Sequence, residues 1–488
     1  MSGESISLTM PPKGWVWTTL GAVCQDPQYG WTTGAVAKGA LHLLRTTDIT
    51  SGKIHWETVP FCRDEPPDKD KYLLHDGDIV ISRAGSVGYS YLVSNPPLAV
   101  FASYLIRFRP LVDEQYLAYF LQSPSYWQAI SESSLGIALA NVNASKLKQI
   151  ALPLAPLPEQ RRIVAKIDEL FTQLDAGVEA LRRVKAQLKR YRQAVLKHAF
   201  EGKLTAEWRE AHKGELEPAS AFLARMKGGS GERKELCAPD TSELPDLPDG
   251  WLWATLEQLS ERIVDCLHST PKFTSEGQYC VDTNCVEPGR IVFERARFVS
   301  EEVYQERVRR LQPEAGDIVF SREGTIGTAV PVPENVRICL GQRMMMFRPV
   351  AGIVPSYFVW AMMCPAFENQ WKARVTGTTV PHVNIRDLRT MALPLAPGPE
   401  QRRIAEEIQR YFSIADEVEN TTDRVLQASA RLRQSILKGA FEGRLVPQDP
   451  TDEPAERLLE RIRQDRMKQE SAKSTDRDRF GVIQRRLL

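Results

Sequence analysis

The chain is 488 residues long, 42% hydrophobic and 26% charged, with a formal net charge of +1. Such a length accommodates two to four hydrophobic cores, no apolar run is long enough to span a membrane, and the even charge balance does not by itself announce nucleic acid. Eight cysteines, at 24, 62, 237, 266, 280, 285, 339 and 364, include no CxxC pair and no histidine at ligand spacing, so reduced, mostly buried thiols are expected rather than a metal site. The opening MSGESISLTMPPKG has neither the basic region nor the apolar core of a secretory signal, and a cytoplasmic protein is expected.

Taken in order, the chain states almost everything twice. GWVWTTL at Gly14 returns as GWLWATL at Gly250, and GDIVISRAGSVG at Gly77 returns as GDIVFSREGTIG at Gly316. RFRP at Arg107 matches MFRP at Met346, and NVNASKLKQIALPLA at Asn141 matches HVNIRDLRTMALPLA at His382. The offset stays between 236 and 241 residues throughout. Within each copy, Asp-Ile-Val followed by Ser-Arg and a glycine-containing turn predicts a strand running into a loop. LIRFRP predicts a strand, and YLAYFLQS, apolar at helical spacing, a short helix. The fold class is therefore α+β: two globular units of mixed helix and sheet.

Each unit leads into a long helix. LPLAPLPEQRRI at Leu152 and LPLAPGPEQRRI at Leu393 begin as proline-rich extended chain, and Pro158 or Pro399 then sits where a first-turn proline is tolerated, beside Glu159 or Glu400. In the first helix Ile163, Ile167, Leu170, Leu174, Gly177, Leu181, Val184, Leu188, Tyr191 and Val195 follow 4, 3 spacing without a break, a heptad seam. The second continues it with Ile404, Ile408, Tyr411, Ala415, Val418, Thr422, Val425, Ser429, Leu432 and Ile436. Two narrow apolar stripes in one chain bury each other best, which predicts an intramolecular coiled coil; the other reading is that each helix packs on its own neighbouring domain. About 40 helical residues at ~1.5 Å each give a spacer of roughly 60 Å. Both helices close alike, RQAVLKHAFEGKL from Arg192 and RQSILKGAFEGRL from Arg433, and both are followed by related tails, EPASAFLARM and EPAERLLERI. Arg182, Arg183, Lys185, Lys189, Arg190, Arg192 and Lys197 occur with no acidic residue between Ala180 and Phe200, a face that either lies near phosphates or is merely solvated.

The expected domains are 1–156, a first globular unit; 157–204, the first long helix; 205–249, a short helix and linker; 250–397, a second globular unit; 398–445, the second long helix; and 446–488, a helical tail. The stretch from Lys227 to Gly250 is the clear linker, rich in Gly, Pro and charge. The units diverge most between Cys24 and Pro67 and between Ile263 and Glu302, so a shared frame with different loops suggests two related ligands read differently.

Catalytic signatures are missing: no GxxxxGK[ST] loop, no GxSxG elbow and no HExxH. Asn95-Pro96-Pro97-Leu98 is close to the NPP-aromatic signature of amino-methyltransferases, but Leu98 offers no π-face to stack on an extruded base, and a turn is expected. The doubled LPLAPxPEQRRI and AFEGxL framing of long helices, the GDIxxSRxGxxG strand and loop, and the two divergent units resemble the specificity subunit of type I restriction-modification enzymes over nearly the whole chain. That resemblance implies two target-recognition domains separated by two antiparallel helices with an internal pseudo-twofold, and DNA recognition without catalysis. It implies one copy of this chain per complex, bound to double-stranded DNA, with two modification (methyltransferase) subunits that carry S-adenosylmethionine and restriction subunits that use ATP and Mg. No cofactor and no membrane contact are expected for the chain itself.

Dimeric DNA readers place half-sites about one DNA turn, ~34 Å, apart, and a chain containing its own duplicate does so without requiring a palindrome. DNA-contacting candidates in the first unit are Tyr29, Thr32, Thr33 and Lys38, from a polar loop in the divergent region, with Arg83 and Ser86 in the SRAGSVG turn. In the second they are His268, Ser269, Thr270 and Lys272, with Arg322 and Thr325. Hydroxyl, Lys and Arg side chains suit phosphates and base edges. Arg83 and Arg322 are common to both units and so are assigned to phosphate contact or to structure. Asn141, Asn143, His382 and Asn384 either cap a helix or contact DNA. Two rival readings stay open: a duplicated adenine methyltransferase, which the absence of a glycine-rich cofactor loop after an early strand opposes, and a coiled-coil scaffold whose units bind protein.

Overall fold

The computed structural model describes residues 10–134, 141–228 and 238–468. The first nine residues, Cys237 with most of the glycine-rich part of the linker, and the tail beyond 468 lie outside the described residues. Two compact units emerge, and neither is a contiguous stretch of chain: the first is Met1–Leu181 with Arg424–Leu488, the second Arg182–Asp423.

In the first unit, Val16–Thr19 pairs antiparallel with Ala151–Leu154, so that the GWVWTTL and LPLAP segments form one ribbon. An antiparallel sheet runs in the order Gln28–Tyr29, Leu105–Phe108, Ile79–Ser82, Ser90–Leu92. Its two central strands are buried along their whole length, which the unbroken apolar runs require. A second, mixed sheet joins Ala35–Val36, Phe61–Cys62, His42–Leu44 and Ala99–Phe101. The YLAYFLQS segment is helical over Glu114–Phe120, capped by the Asp113 carboxylate on the Tyr116 amide. The second unit repeats this plan. Leu252–Thr255 pairs with Ala392–Leu395, one sheet runs Ser260–Asp265, Met344–Pro349, Ile318–Ser321, Ala329–Pro331, and a mixed sheet joins Phe273–Thr274, Arg297–Val299, Gln278–Val281 and Ile338–Leu340. A small hairpin, Val286–Glu287 with Arg290–Ile291, is added.

The repeated motifs turn out to be joints. The indole of Trp15 donates to Glu159 at 3.0 Å, and that of Trp251 to Glu400 at 2.8 Å. Gln160 donates to the Ala155 carbonyl and accepts from the Asp113 amide; Gln401 does the same with Ala396 and Val354. Buried Tyr116 and Tyr357 each donate to the carbonyl of the proline in LPL, Pro153 or Pro394, at 2.7 Å. The Pro-Glu-Gln start of each long helix is thus fastened to the ribbon that precedes it.

The long helices span Leu157–Phe200 and Gly398–Phe441. Each begins on one repeat and ends in the core built from the other. Leu437, Ala440 and Phe441 join the first unit's core, with the Phe441 ring edge-on to Tyr116 and Phe120. Val195, Leu196, Ala199 and Phe200 join the second's, with Phe200 beside Tyr357. The helices pack antiparallel: in the first unit Arg433 pairs with Asp175 and stacks on Phe171, and in the second Lys185 pairs with Asp423 at 2.7 Å and Arg192 with Asp416 at 2.6 Å. Part of the basic run is therefore neutralised within the fold. The seam differs from the sequence expectation on the second helix. Ile408, Ala415 and Thr422 face inward as expected, but Val418, Val425 and Leu432 are 39%, 43% and 51% exposed. Phe412 is buried, Leu426 is half-buried, and Glu419 and Arg433, also half-buried, pair across the helices with Arg192 and Asp175.

The tails are likewise occupied within their own units. Ala455, Leu459 and Ile462 are buried in the first core, and the Ala455 amide donates to the Gly14 carbonyl. Ala219 is buried in the second core, its amide on the Gly250 carbonyl. No helix among the described residues is long and apolar enough to cross a membrane.

Candidate nucleic-acid interface

In each unit one end of the antiparallel sheet gathers four segments: the end of the first strand, the SRxGxxG turn, the turn entering the strand that carries LIRF or MMMF, and the backbone just before the last short helix. The glycines of the SRxGxxG turn are required by its geometry. Gly85 and Gly88 sit at φ +78° and +86°, Gly324 and Gly327 at +74° and +100°, a region closed to most side chains. The same backbone bonds tie the cluster together twice. Arg83 N donates to Tyr104 O at 2.9 Å and Val142 N to Arg83 O at 3.0 Å; Arg322 N donates to Arg343 O at 3.2 Å and Val383 N to Arg322 O at 3.1 Å.

Strand register fixes which side chains correspond. Tyr29 pairs with Ile106, and Asp265 pairs with Met345, the equivalent of Ile106 in the second copy. Tyr29 and Asp265 therefore occupy one position, opposite the shared arginine. In the first unit the Arg83 guanidinium lies over the Tyr29 ring at 5.2 Å, its buried Nε meets no acceptor, and the Tyr29 hydroxyl accepts from the Ala144 amide at 3.0 Å. In the second unit Arg322, 5% exposed, is bound by two bonds to Asp265 at 3.0 and 3.1 Å and by a third contact to Glu323 at 2.7 Å. His268 joins this group, 2.8 Å from Asp265 and 3.2 Å from Arg322.

The sequence candidates fall around these clusters unevenly. Ser86 and Thr325 are exposed on the turns, and their carbonyls accept from the Ser82 and Ser321 hydroxyls. Thr32 is exposed; Thr33 accepts from the Asp64 amide at 3.0 Å; Lys38 is exposed beyond Ala35–Val36, with no contact joining it to Arg83 among the described residues. Ser269 accepts through its carbonyl from Arg307, Thr270 donates to Gln342 at 3.0 Å, and Lys272 is exposed. Asn143 caps the helix Ala144–Lys148 by accepting from the Lys146 amide, whereas Asn384 precedes Ile385–Thr390 with no side-chain cap bond. Asn141 and His382 bridge to Ala84 and Glu323.

Sequence reasoning missed the entering turn. Tyr104 there is 61% exposed, and Arg343, its equivalent, is half-buried at φ +77°. The available signals were a polar aromatic and an arginine directly before a buried strand, at the same place in both copies. Nothing in either cluster resembles a nucleophile and its base. The seven described cysteines are buried and unpaired, and burial pushes the thiols of Cys24 and Cys364 up to about 12. Among the described residues no group of His, Cys, Asp and Glu is arranged to hold a metal. Asn95 makes a left-handed turn at φ +44° and Leu98 is exposed, so the NPP string is a bend between strands.

Three comparisons bear on this arrangement. The family profile described as "Type I restriction modification DNA specificity domain" matches residues 39–189 and 273–428, one match per copy of the repeat. The EcoKI specificity subunit of Escherichia coli K12 is 24% identical over 447 residues, covering 87% of this chain and 89% of its own, and the E. coli EcoDI specificity subunit is 26% identical over 359 residues, covering 70% and 76%. A chain solved in work on complex assembly and conformational transition of the type I R-M system aligns with a TM-score of 0.58 at 19% identity, over 89% of this chain and all of that one, a likeness of fold.

Proposed function

Because the chain belongs to the family of type I restriction-modification DNA specificity proteins, we propose that its two units read the two halves of one split, asymmetric DNA site through the loop clusters built around their SRxGxxG turns. Membership makes it a DNA-recognition subunit that leaves catalysis to its partners. The observation that carries the proposal is the register identity of Tyr29 and Asp265: two frames with the same backbone bonds present different side chains to whatever lies against them. A protein reading one sequence twice needs no such divergence; one reading two different half-sites does.

The reading heads are assigned to residues 1–156 and 250–397. Exposed hydroxyl and Lys groups, Thr32, Lys38, Ser86, Thr270, Lys272 and Thr325, supply phosphate and base-edge contacts. One copy of the chain serves two modification subunits, with restriction subunits attached to that assembly. The docking face is assigned to the part of the second long helix that lies in the first unit, where Val425 and Leu432, one heptad apart, are exposed. The tails, already packed on their own units, are left out of it.

The test is the affinity of the purified full-length chain for a mixed-sequence duplex of roughly 40 base pairs, followed between about 50 and 200 mM salt. Each phosphate contact releases counterions, so the logarithm of affinity falls against the logarithm of salt with a slope of about −0.9 per contact. A steep slope supports DNA reading; no binding, or a flat dependence, supports the protein-binding scaffold.

A further inference from the structure

The duplicated arginine of the SRxGxxG turn is not doing the same job twice. Arg322 is buried and surrounded by Asp265 and Glu323, two carboxylates against one guanidinium, so an approaching phosphate meets no free positive charge there. In the first unit both carboxylates have gone. Tyr29 stands in the place of Asp265 and Ala84 in that of Glu323, and the nearby Asp26 is paired with Lys148 at 3.0 Å. Among the described residues no carboxylate is paired with Arg83, whose guanidinium lies over the Tyr29 ring.

If both units bind the same polyanion, the second needs a cation from another position. The entering turn supplies one. Among the described residues three that are not glycine have positive φ: Asn95, Asn335 and Arg343. Asparagine adopts this conformation readily, arginine does so at a cost, and such strain persists where it serves a function. Arg343 has no carboxylate partner among the described residues. One of its guanidinium nitrogens lies 3.7 Å from where a Cβ on Gly324 would sit, which puts its charge beside the SRxGxxG turn. Its backbone carbonyl also holds the Arg322 amide, so the two arginines belong to one rigid cluster.

We propose that Arg343 is the phosphate-contacting cation of the second unit, taking the task for which Arg83 is left free in the first, while Arg322 serves as an internal brace. The proposal rests on the DNA-recognition reading above. It assigns specificity as well as charge, because the position that carries Arg343 in one unit carries the exposed Tyr104 in the other.

The experiment uses the full-length chain, the mixed-sequence duplex and a salt series. Arg343→Gly and Arg343→Gln are each expected to lower the salt slope by about 1 and to weaken binding about fivefold near physiological salt, as the loss of one phosphate contact does. Arg343→Lys keeps the slope. Arg343→Gly also relieves the left-handed strain, so its melting temperature is expected to stay level or rise by about 1–3 °C while binding falls, a combination that a purely structural residue does not give. Wild-type slope and affinity in both Arg343→Gly and Arg343→Gln overturn the proposal. A wild-type chain that binds no DNA fails earlier, at the functional reading itself.

Discussion

Glu159 and Glu400 stand at the same place in the repeat, each accepting from a tryptophan indole at the start of a long helix, yet their surroundings differ. Glu400 is also held by Thr205 and Arg209, each at 2.7 Å. Glu159 has one buried oxygen without a partner, and burial raises its pKa against the opposing pull of the Trp15 bond and Arg162. A carboxyl raised in the folded state favours folding when protonated. Its contribution is present in acid, below the unfolded value, and is lost as pH rises through the raised one. Glu159→Gln is therefore expected to raise the melting temperature by about 1–3 °C near pH 8, with the gain shrinking toward about pH 4. Glu400→Gln has the opposite sign, because it leaves Arg209 facing a neutral amide, and is expected to cost about 2–4 kcal/mol. Thermal unfolding of both variants across pH measures this directly. Equal effects would mean that the two joints are electrostatically alike.

At the scale of elements, each long helix completes a core made by the other repeat. Phe441→Ala removes a ring from the Tyr116 and Phe120 cluster and is expected to cost the first unit about 3–5 kcal/mol; Phe200→Ala does the same to the second. Hydrogen exchange should locate each loss in one unit, and equal loss in both after either change would refute the assignment. Much of this was legible beforehand. The repeat, the two helices, their packing on each other and the α+β class follow from proline and glycine punctuation and from apolar spacing, while the antiparallel sense came with the family resemblance. The inward face of the second helix was not, since hydropathy counts Val418, Val425 and Leu432 as seam and cannot foresee that Glu419 and Arg433 will find partners at Lys185, Arg192 and Asp175. The displaced residues provide the docking prediction. Val425→Asp with Leu432→Asp is expected to weaken assembly with modification subunits by about tenfold or more while both units stay folded, read by size-exclusion chromatography and circular dichroism. Unchanged assembly would remove this face from the interface.

For the molecule as a whole, the sequence disclosed a DNA reader through its duplicated motifs, and located the SRxGxxG turns and the divergent loops. It did not disclose which side chains stand opposite one another. Tyr29 and Asp265 become equivalents only through strand register, and Arg343 stands out only through its backbone angle. Charge in the sequence likewise did not distinguish the free arginine from the braced one. The central claim is that each unit reads its own half of one site. It is tested by exchanging residues 14–156 for the corresponding segment of a relative and sequencing the methylated motif made by the chain with its modification subunits. One half of the motif is expected to change and the other to be retained; a change in both halves, or in neither, would contradict separate reading by the two units.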